Sequence, residues 1–402
     1  MKLYPLPVLA HRRASLALVL LTLLCGLLCP HAAQAAPGTG PIVASFASPR
    51  PSGFPQNDKI WVTFYPAQGV ALPAPAVVLL HPIGESAGGL LDRYMQRLAG
   101  HLAARGIGCA LMSLPYHLQR TVGSTDSARH FLGPRVENVV QALTQSSADV
   151  SAVATWLSAR PDVDPRRLGV VGLSLGAIVA HLAMGQDARL NAGVALEGGG
   201  DLPTLYRDSL EIKLHAKYLP ELLTPAARAL LATADPAHYG AFNQPRHVLM
   251  IAAARDQYVP PANATYLWNA LGHPPIQWTD TNHFSFLLAG DSLAGTAAAY
   301  LQRVWSGHAE SAAPLPRYHV PTFKLGLLVG FDGHVSPALT WQAAVLGTRA
   351  DHLSLAHLDL GESTRGPFVG LAATVTPYAD IGLAHRLLTR AVQPYVSLHI
   401  TF

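Results

Sequence analysis

The strongest constraint on this chain is LGVVGLSLGAIVAHLA, residues 168–183. A short Val-rich run, Leu168 to Val171, reads as a buried strand, and Ala177 to Ala183, apolar on nearly every side, reads as a helix covered by other elements. Gly172 and Gly176 occupy the two places where a Cβ would collide in so sharp a strand-to-helix turn. Ser174 stands at its peak. Such a turn lifts the hydroxyl clear of the sheet and points the next amide, that of Leu175, to where an oxyanion would form, so Ser174 is the candidate nucleophile.

The same Gly-x-Ser-x-Gly pattern recurs at Gly84-Glu85-Ser86-Ala87-Gly88. Context separates the two. Ser86 also follows a strand-like run, Ala76 to Leu80, but too little chain precedes it to build the earlier strands and the oxyanion loop that such a turn requires. Ser174 has that material upstream, and the first match reads as part of the loop that serves the second.

A serine hydroxyl needs a base to take its proton, and a histidine base needs a carboxylate to hold its tautomer and stabilise its charged form. HVLMIAA, 247–253, reads as a buried strand with Asp256 just past its end, in RDQYVP. A short strand at 276–279 is followed by Thr281-Asn282-His283-Phe284. The expected triad is Ser174, Asp256 and His283.

With these motifs in place, residues 58–305 resemble an α/β-hydrolase, nearest to the esterase and dienelactone-hydrolase-like branches. The resemblance rests on VVLLHPIG (77–84), VDPRRLGVVGLSLGA (163–177), RDQYVP (255–260) and TNHFSF (281–286), and on the chain order serine, acid, histidine. It implies a serine hydrolase without cofactor or metal, whose oxyanion hole is formed by the Ile83 and Leu175 amides. Pro82 stands where the family has glycine; it fixes φ and removes a donor.

Each assignment has a competitor. Asp256 could instead be an N-cap or turn aspartate before the helical pattern at Ala262 to Leu271. Glu197 and Asp201, after a strand at 192–196, are reserve acids. Among 19 histidines, His283 is singled out only by order and location. His117, in Leu114-Pro115-Tyr116-His117, is the rival base, but because it precedes the serine it reads instead as lining the substrate pocket, with Tyr116, or as capping a loop. Cys109, in an apolar strand, reads as an inert buried thiol.

Half of the 402 residues are hydrophobic, enough for a large core. Three of the four net positive charges, Lys2, Arg12 and Arg13, lie in an N-terminal segment without acids, so the basic balance gives no argument for nucleic acid. That segment, with an apolar run from Ala14 to Cys29 and small residues at 31–36, reads as a signal peptide cleaved after Ala35, and the expected location is periplasmic or secreted. Cleavage would leave Cys109 as the sole cysteine and exclude an internal disulfide. No His-x-x-x-His pair or complete calcium loop is present, so no metal is implied.

The expected organisation is a signal peptide at 1–35, an exposed lead-in at 36–57, a hydrolase domain at 58–305, a linker at 306–321 and a β region at 322–402. Within 58–305, alternating strands and helices predict an α/β fold, a mostly parallel sheet covered on both faces. About 50 residues between the strands at 192–196 and 247–253 predict a helical cap, about 198–245, with Leu202, Leu205, Tyr206, Leu210, Leu214, Tyr218, Leu219 and Leu222 at helical spacing. An apolar lid favours an ester substrate with an apolar acyl or alcohol group, although packing of the cap on its own domain explains the same leucines; a peptidase or lactone hydrolase on the same triad, or a non-catalytic envelope protein whose β region is membrane-associated, are the alternative readings.

Six β-like runs after residue 321 predict an antiparallel meander. The last alternates Val396, Leu398, Ile400 and Phe402 with Tyr395, Ser397, His399 and Thr401, and resembles the closing strand of bacterial outer-membrane barrels. Six strands fall short of the usual eight, so a barrel closed within one chain is not expected. Two readings remain. In the first, preferred because one alternating strand is a weak signal, the apolar face packs on the hydrolase. In the second, the region is a partial barrel completed by other chains and associated with the outer membrane through 322–402.

Overall fold

The computed structural model describes residues 40–84, 88–123, 128–131, 135–214, 224–243, 246–309 and 314–401. The signal-peptide reading, Ser86, the cap residues Tyr218, Leu219 and Leu222, and Phe402 lie outside them.

An eight-stranded sheet organises the first part of the chain. Its strands are β1 (Ile42–Ala47), β2 (Lys59–Tyr65), β3 (Ala74–Leu80), β4 (Gly108–Met112), β5 (Val163–Leu173), β6 (Leu190–Leu196), β7 (His247–Ala253) and β8 (Ile276–Thr279). Their spatial order is β1-β2-β4-β3-β5-β6-β7-β8. The β1–β2 and β2–β4 pairs are antiparallel, and all pairs from β4 through β8 are parallel. Every residue of β3 and β4 is buried, which explains why these strands read as unbroken apolar runs rather than as alternations.

The segment expected as an exposed lead-in contributes an edge strand, β1. Its side chains alternate between exposed and half-buried, and Phe46 packs against Trp156 at 6.4 Å. The Gly, Pro and Ser around IVASFA hide so short a strand from sequence patterning.

Helices α1 (Leu90–Ala103), α2 (Val136–Ser158), α3 (Leu175–Gln186), α7 (Pro261–Ala270) and α8 (Gly290–Trp305) cover the sheet; α4 (Leu202–Asp208), α5 (Leu210–Leu214) and α6 (Pro225–Thr233) belong to the insertion between β6 and β7. In α3, residues 175–184 are all buried, as an apolar helix with no polar face requires.

One residue of α3 breaks that rule. His181 is 1% exposed, and neither ring nitrogen has a hydrogen-bond partner among the described residues. Burial pushes its pKa down to about 4. Burial also lowers His81 to about 4 and His117 to about 3. In the unfolded chain these groups protonate near 6.5, so between that value and about 4 the unfolded state binds more protons. Their contribution to stability is therefore full above 6.5 and is lost as pH falls through this window. At pH 5 each costs about 2 kcal/mol. Thermal unfolding at pH 7.5 and 5.0 should show a large loss of Tm in acid, and His181→Leu should raise Tm and reduce that loss. An unchanged pH slope in the variant would contradict this account.

The C-terminal strands β9 (Thr322–Gly330), β10 (Val335–Thr348), β11 (Ser354–Ser363), β12 (Gly366–Thr376), β13 (Ala379–Arg386) and β14 (Val392–Thr401) form a closed antiparallel barrel. Two expectations are corrected here. The six strands do close within one chain, because β14 pairs with β9 from Tyr395↔Gly330 to Thr401↔Lys324. The apolar face is not turned onto the hydrolase. It points outward around the cylinder, while the interior holds Lys324, His357, Asp359, Asp380 and His399.

The barrel meets the hydrolase through one end. Arg255 pairs with Asp280 at 2.6 Å and donates to the Pro377 carbonyl, and Asp280 accepts from the Ser354 amide at 3.1 Å and Gln342 at 3.2 Å. Burial would raise the Asp280 pKa, but the Arg255 charge and these hydrogen bonds hold it below the ordinary range. Asn282 donates to the Thr401 carbonyl, and His352 stacks on Trp278 at 4.0 Å.

Candidate active site

Loops leaving the carboxyl ends of β3, β5, β7 and β8 supply the site, the position open parallel sheets reserve for ligands. Ser174 follows β5 with φ 53° and ψ −116°, a strained conformation for a residue with a side chain. The turn is fixed on both sides. A Cβ on Gly172 would run into the Gly176 carbonyl, and one on Gly176 into the Leu80 carbonyl. The Ser174 amide donates to Leu196 O at 2.9 Å, tying the turn to β6.

The three residues expected as a triad meet. Ser174 Oγ lies 2.8 Å from His283 Nε2, and His283 Nδ1 lies 2.7 Å from Asp256 Oδ2. All three are at most 5% exposed. Asp256 also does what its turn competitor required: its other oxygen, Oδ1, accepts the Tyr258 and Val259 amides, each at 2.8 Å. Those bonds fix the carboxylate and leave Oδ2 for the imidazole. Tyr258 stacks on the His283 ring at 5.2 Å, with Phe284 and Phe286 edge-on to it.

The reserve acids separate. Asp201 caps α4, accepting from the Thr204 amide at 3.3 Å. Glu197 lies beside the triad, Oε2 3.5 Å from the same His283 Nδ1, and that oxygen has no hydrogen-bond partner among the described residues. Its burial, reinforced by the Asp256 charge, raises its pKa well above the usual carboxylate range. Glu197, Asp256 and His283 offer ligand atoms within 4.8 Å of one another. Both imidazole nitrogens, however, face Asp256 and Ser174, so the hydrogen-bonded relay occupies the positions a cation would need.

Ile83 and Leu175 line the cavity beside Ser174, with Pro82 between Ile83 and the end of β3. Leu175 opens α3, where an amide has no partner within the helix. Tyr116 and His117, expected in the substrate pocket, are not among its lining residues. Tyr116 stacks on His130 at 4.1 Å. His117 lies behind the β3 loop, its Nε2 accepting the Gly84 amide at 3.2 Å and its Nδ1 facing Pro115 O at 2.7 Å. His81 makes the corresponding pair of bonds to the Leu114 amide and Pro82 O. Both rings, held neutral by burial, can donate at Nδ1 and accept at Nε2, and they brace the loop that carries Ile83.

Above the serine lies a cavity of about 320 Å³. The insertion closes it with Leu202, Leu205, Tyr206 and Ile212, and the hydrolase side adds Leu143, Phe131, Ile178 and Phe286. Tyr206 donates to Phe131 O at 2.7 Å, pinning insertion to floor. Leu214, expected on the lid's apolar side, is 66% exposed. Of the apolar residues that helical spacing picked out in the insertion, Leu202, Leu205 and Tyr206 line the cavity, whereas Phe131, Tyr258 and Phe286 come from separate segments and carried no shared sequence signal. Cys109 is fully buried in β4, and burial raises its thiol pKa far above the ordinary value.

Residues 141–287 match the model of the prolyl oligopeptidase family. No curated protein sequence matches the chain. Among solved structures, a puromycin hydrolase superposes with a TM-score of 0.51 at 17% identity, covering 73% of this chain and 43% of that one. An acylaminoacyl peptidase of Pyrococcus horikoshii gives 0.49 at 14% identity over 69% and 42% of the two chains, and an esterase of Pyrococcus furiosus 0.47 at 16% over 68% and 98%. The chain thus spans less than half the length of the first two. The order of the parallel strands, the glycine-flanked serine turn and the likeness to the puromycin hydrolase agree on the fold: the chain has an α/β-hydrolase fold followed by a six-stranded antiparallel barrel.

Proposed function

We propose that this protein is a serine hydrolase that cleaves carboxylic esters through an acyl-enzyme. The observation that carries the reading is the Ser174–His283–Asp256 relay on the floor of an apolar cavity. In this account Ser174 Oγ attacks the carbonyl carbon as His283 Nε2 takes its proton, and Asp256 stabilises the imidazolium. The Leu175 and Ile83 amides receive the oxyanion. His283 then gives the proton to the leaving alcohol, draws one from a water that attacks the acyl carbon, and returns it to Ser174 Oγ as the bond from that oxygen to the acyl carbon breaks and the acid leaves.

Leucine, isoleucine and phenylalanine around the serine favour an ester with an apolar acyl or alcohol group. A second reading, a peptidase on the same triad, draws on the family match over 141–287 and on Glu211, a carboxylate in the cavity lining that could meet a substrate ammonium. Esters of increasing acyl length, assayed beside aminoacyl amides, discriminate. The ester reading expects apolar acyl esters to exceed the amides by at least about a hundredfold in kcat/KM; the reverse order would establish the peptidase. Ile212→Trp should fill the cavity and shift preference toward short acyl chains by about tenfold or more. An unchanged chain-length profile would move the acyl group elsewhere.

A further inference from the structure

The barrel buries charged and polar side chains beside a small apolar cluster of Leu328, Ala338, Phe368, Ala372, Ala384 and Tyr395, and exposes apolar side chains around its outside. Its interior receives Lys324, Thr340, Asp359, Thr374, Asp380 and His399, one from each strand and each at most 5% exposed. Lys324 Nζ joins Asp380 at 2.8 Å and His357 at 2.7 Å. Outward, again one from each strand, stand Leu327, Leu339, Leu360, Leu371, Leu383 and Leu398, between 40 and 52% exposed. The register places Leu327 opposite Leu398 and Leu371 opposite Leu383, so the apolar residues form a continuous belt. We propose that this belt is embedded in a lipid bilayer, with the hydrolase held at the membrane surface by the end of the barrel it contacts.

A protein partner would cover an arc of such a belt, whereas lipid surrounds it. Closure satisfies the backbone of every strand and leaves no edge, the condition for β structure in hydrocarbon. The strands are 8 to 14 residues long, against roughly 9–11 for a tilted span. The titratable side chains on the outward face, Glu362 and His385, each stand one residue from the end of their strand, where headgroups would meet them. Aromatic side chains flank the belt, Trp341 and Tyr378 toward the hydrolase and Phe331 at the opposite turns, all more than 40% exposed. Both barrel ends of the chain, Thr322 and Thr401, lie on the hydrolase side, as an even strand number requires.

The full-length protein is the right sample, because Arg255 and Asn282 flank Asp256 and His283, and deleting the barrel would disturb the active site. It would be reconstituted into vesicles of phosphatidylethanolamine and phosphatidylglycerol, floated, and washed in alkaline carbonate. The wild type should stay with the vesicles at least about tenfold more than L371K/L383K/L398K, while that variant keeps fluorophosphonate labelling of Ser174. Trp341 fluorescence should be quenched by lipids brominated along the acyl chain, with W341F as the blank, a readout that survives if the triple variant fails to fold. Wild-type protein that remains a lipid-free monomer, that forms a lipid-free assembly with the belt covered by a second copy, or that shows no quenching would overturn the proposal. Serine labelling reports the hydrolase reading separately.

Discussion

Ser174→Ala should lower kcat/KM for a hydrolysed ester by more than about a thousandfold, because the nucleophile and its base act as a unit and the variant keeps only binding and oxyanion contacts. His283→Ala should cost about as much, and the double variant little more than either alone. Ser86→Ala should retain most of the activity. The contrast matters because the chain holds two Gly-x-Ser-x-Gly matches; Ser174 stands in a strained turn with an imidazole at 2.8 Å, and Ser86 lies outside the described residues. Steady-state kinetics on the folded variants check all four. A Ser86→Ala enzyme as impaired as Ser174→Ala would mean that the loop before α1 supplies a reacting group.

The second large effect concerns the two carboxylates at His283. Asp256 lies at 2.7 Å from Nδ1 and Glu197 at 3.5 Å. Burial and, next, the Asp256 charge raise the Glu197 pKa and favour its neutral form. Removing Asp256 as alanine takes away that charge, lowers the Glu197 pKa and lets Glu197 ionise beside the imidazole. D256A should therefore lose only about a hundredfold in kcat/KM, whereas D256A/E197Q should lose on the order of ten-thousandfold, the cost of an unoriented histidine. E197Q alone should be nearly silent. The pH profile separates this rescue from a structural effect: the rising limb of D256A should move to higher pH than in the wild type, because the surviving carboxylate ionises only there. Equal losses in D256A and the double variant would exclude a role for Glu197.

The parts of this architecture legible in the sequence are those with a local signature. The apolar runs of β3, β5 and β7, the glycine-flanked serine and the order of acid and histidine all read directly, since a two-sided sheet imposes unbroken hydrophobicity and the turn imposes glycine at fixed offsets. Edge strand β1 escaped because half-exposed strands need no apolar run. Of the two readings of His117, its bond to the Gly84 amide fits the loop rather than the pocket, and Tyr116 stacks on His130 instead of lining the cavity; chain position alone could not distinguish these placements. The proximity of Glu197 to His283 depends on how β6 and β8 are brought together, which no spacing rule encodes.

In the barrel, alternation was readable in β14, but which face turned inward was not. The six strands close around a mixed interior, in which Leu328, Ala338, Phe368, Ala372, Ala384 and Tyr395 pack together beside the buried polar groups. A glycine at Gly370 lets the Tyr395 hydroxyl approach, and Gly326 lets β9 and β14 run close. The ion cluster around Lys324 then occupies the centre.

The central claim is that Ser174 is an activated nucleophile. The most direct test is reaction of the full-length protein with a fluorophosphonate, followed by peptide mapping of the modified residue. The account predicts modification of Ser174, abolished by His283→Ala and unaffected by Ser86→Ala. A folded protein that takes no label, or takes it at another serine, would contradict it.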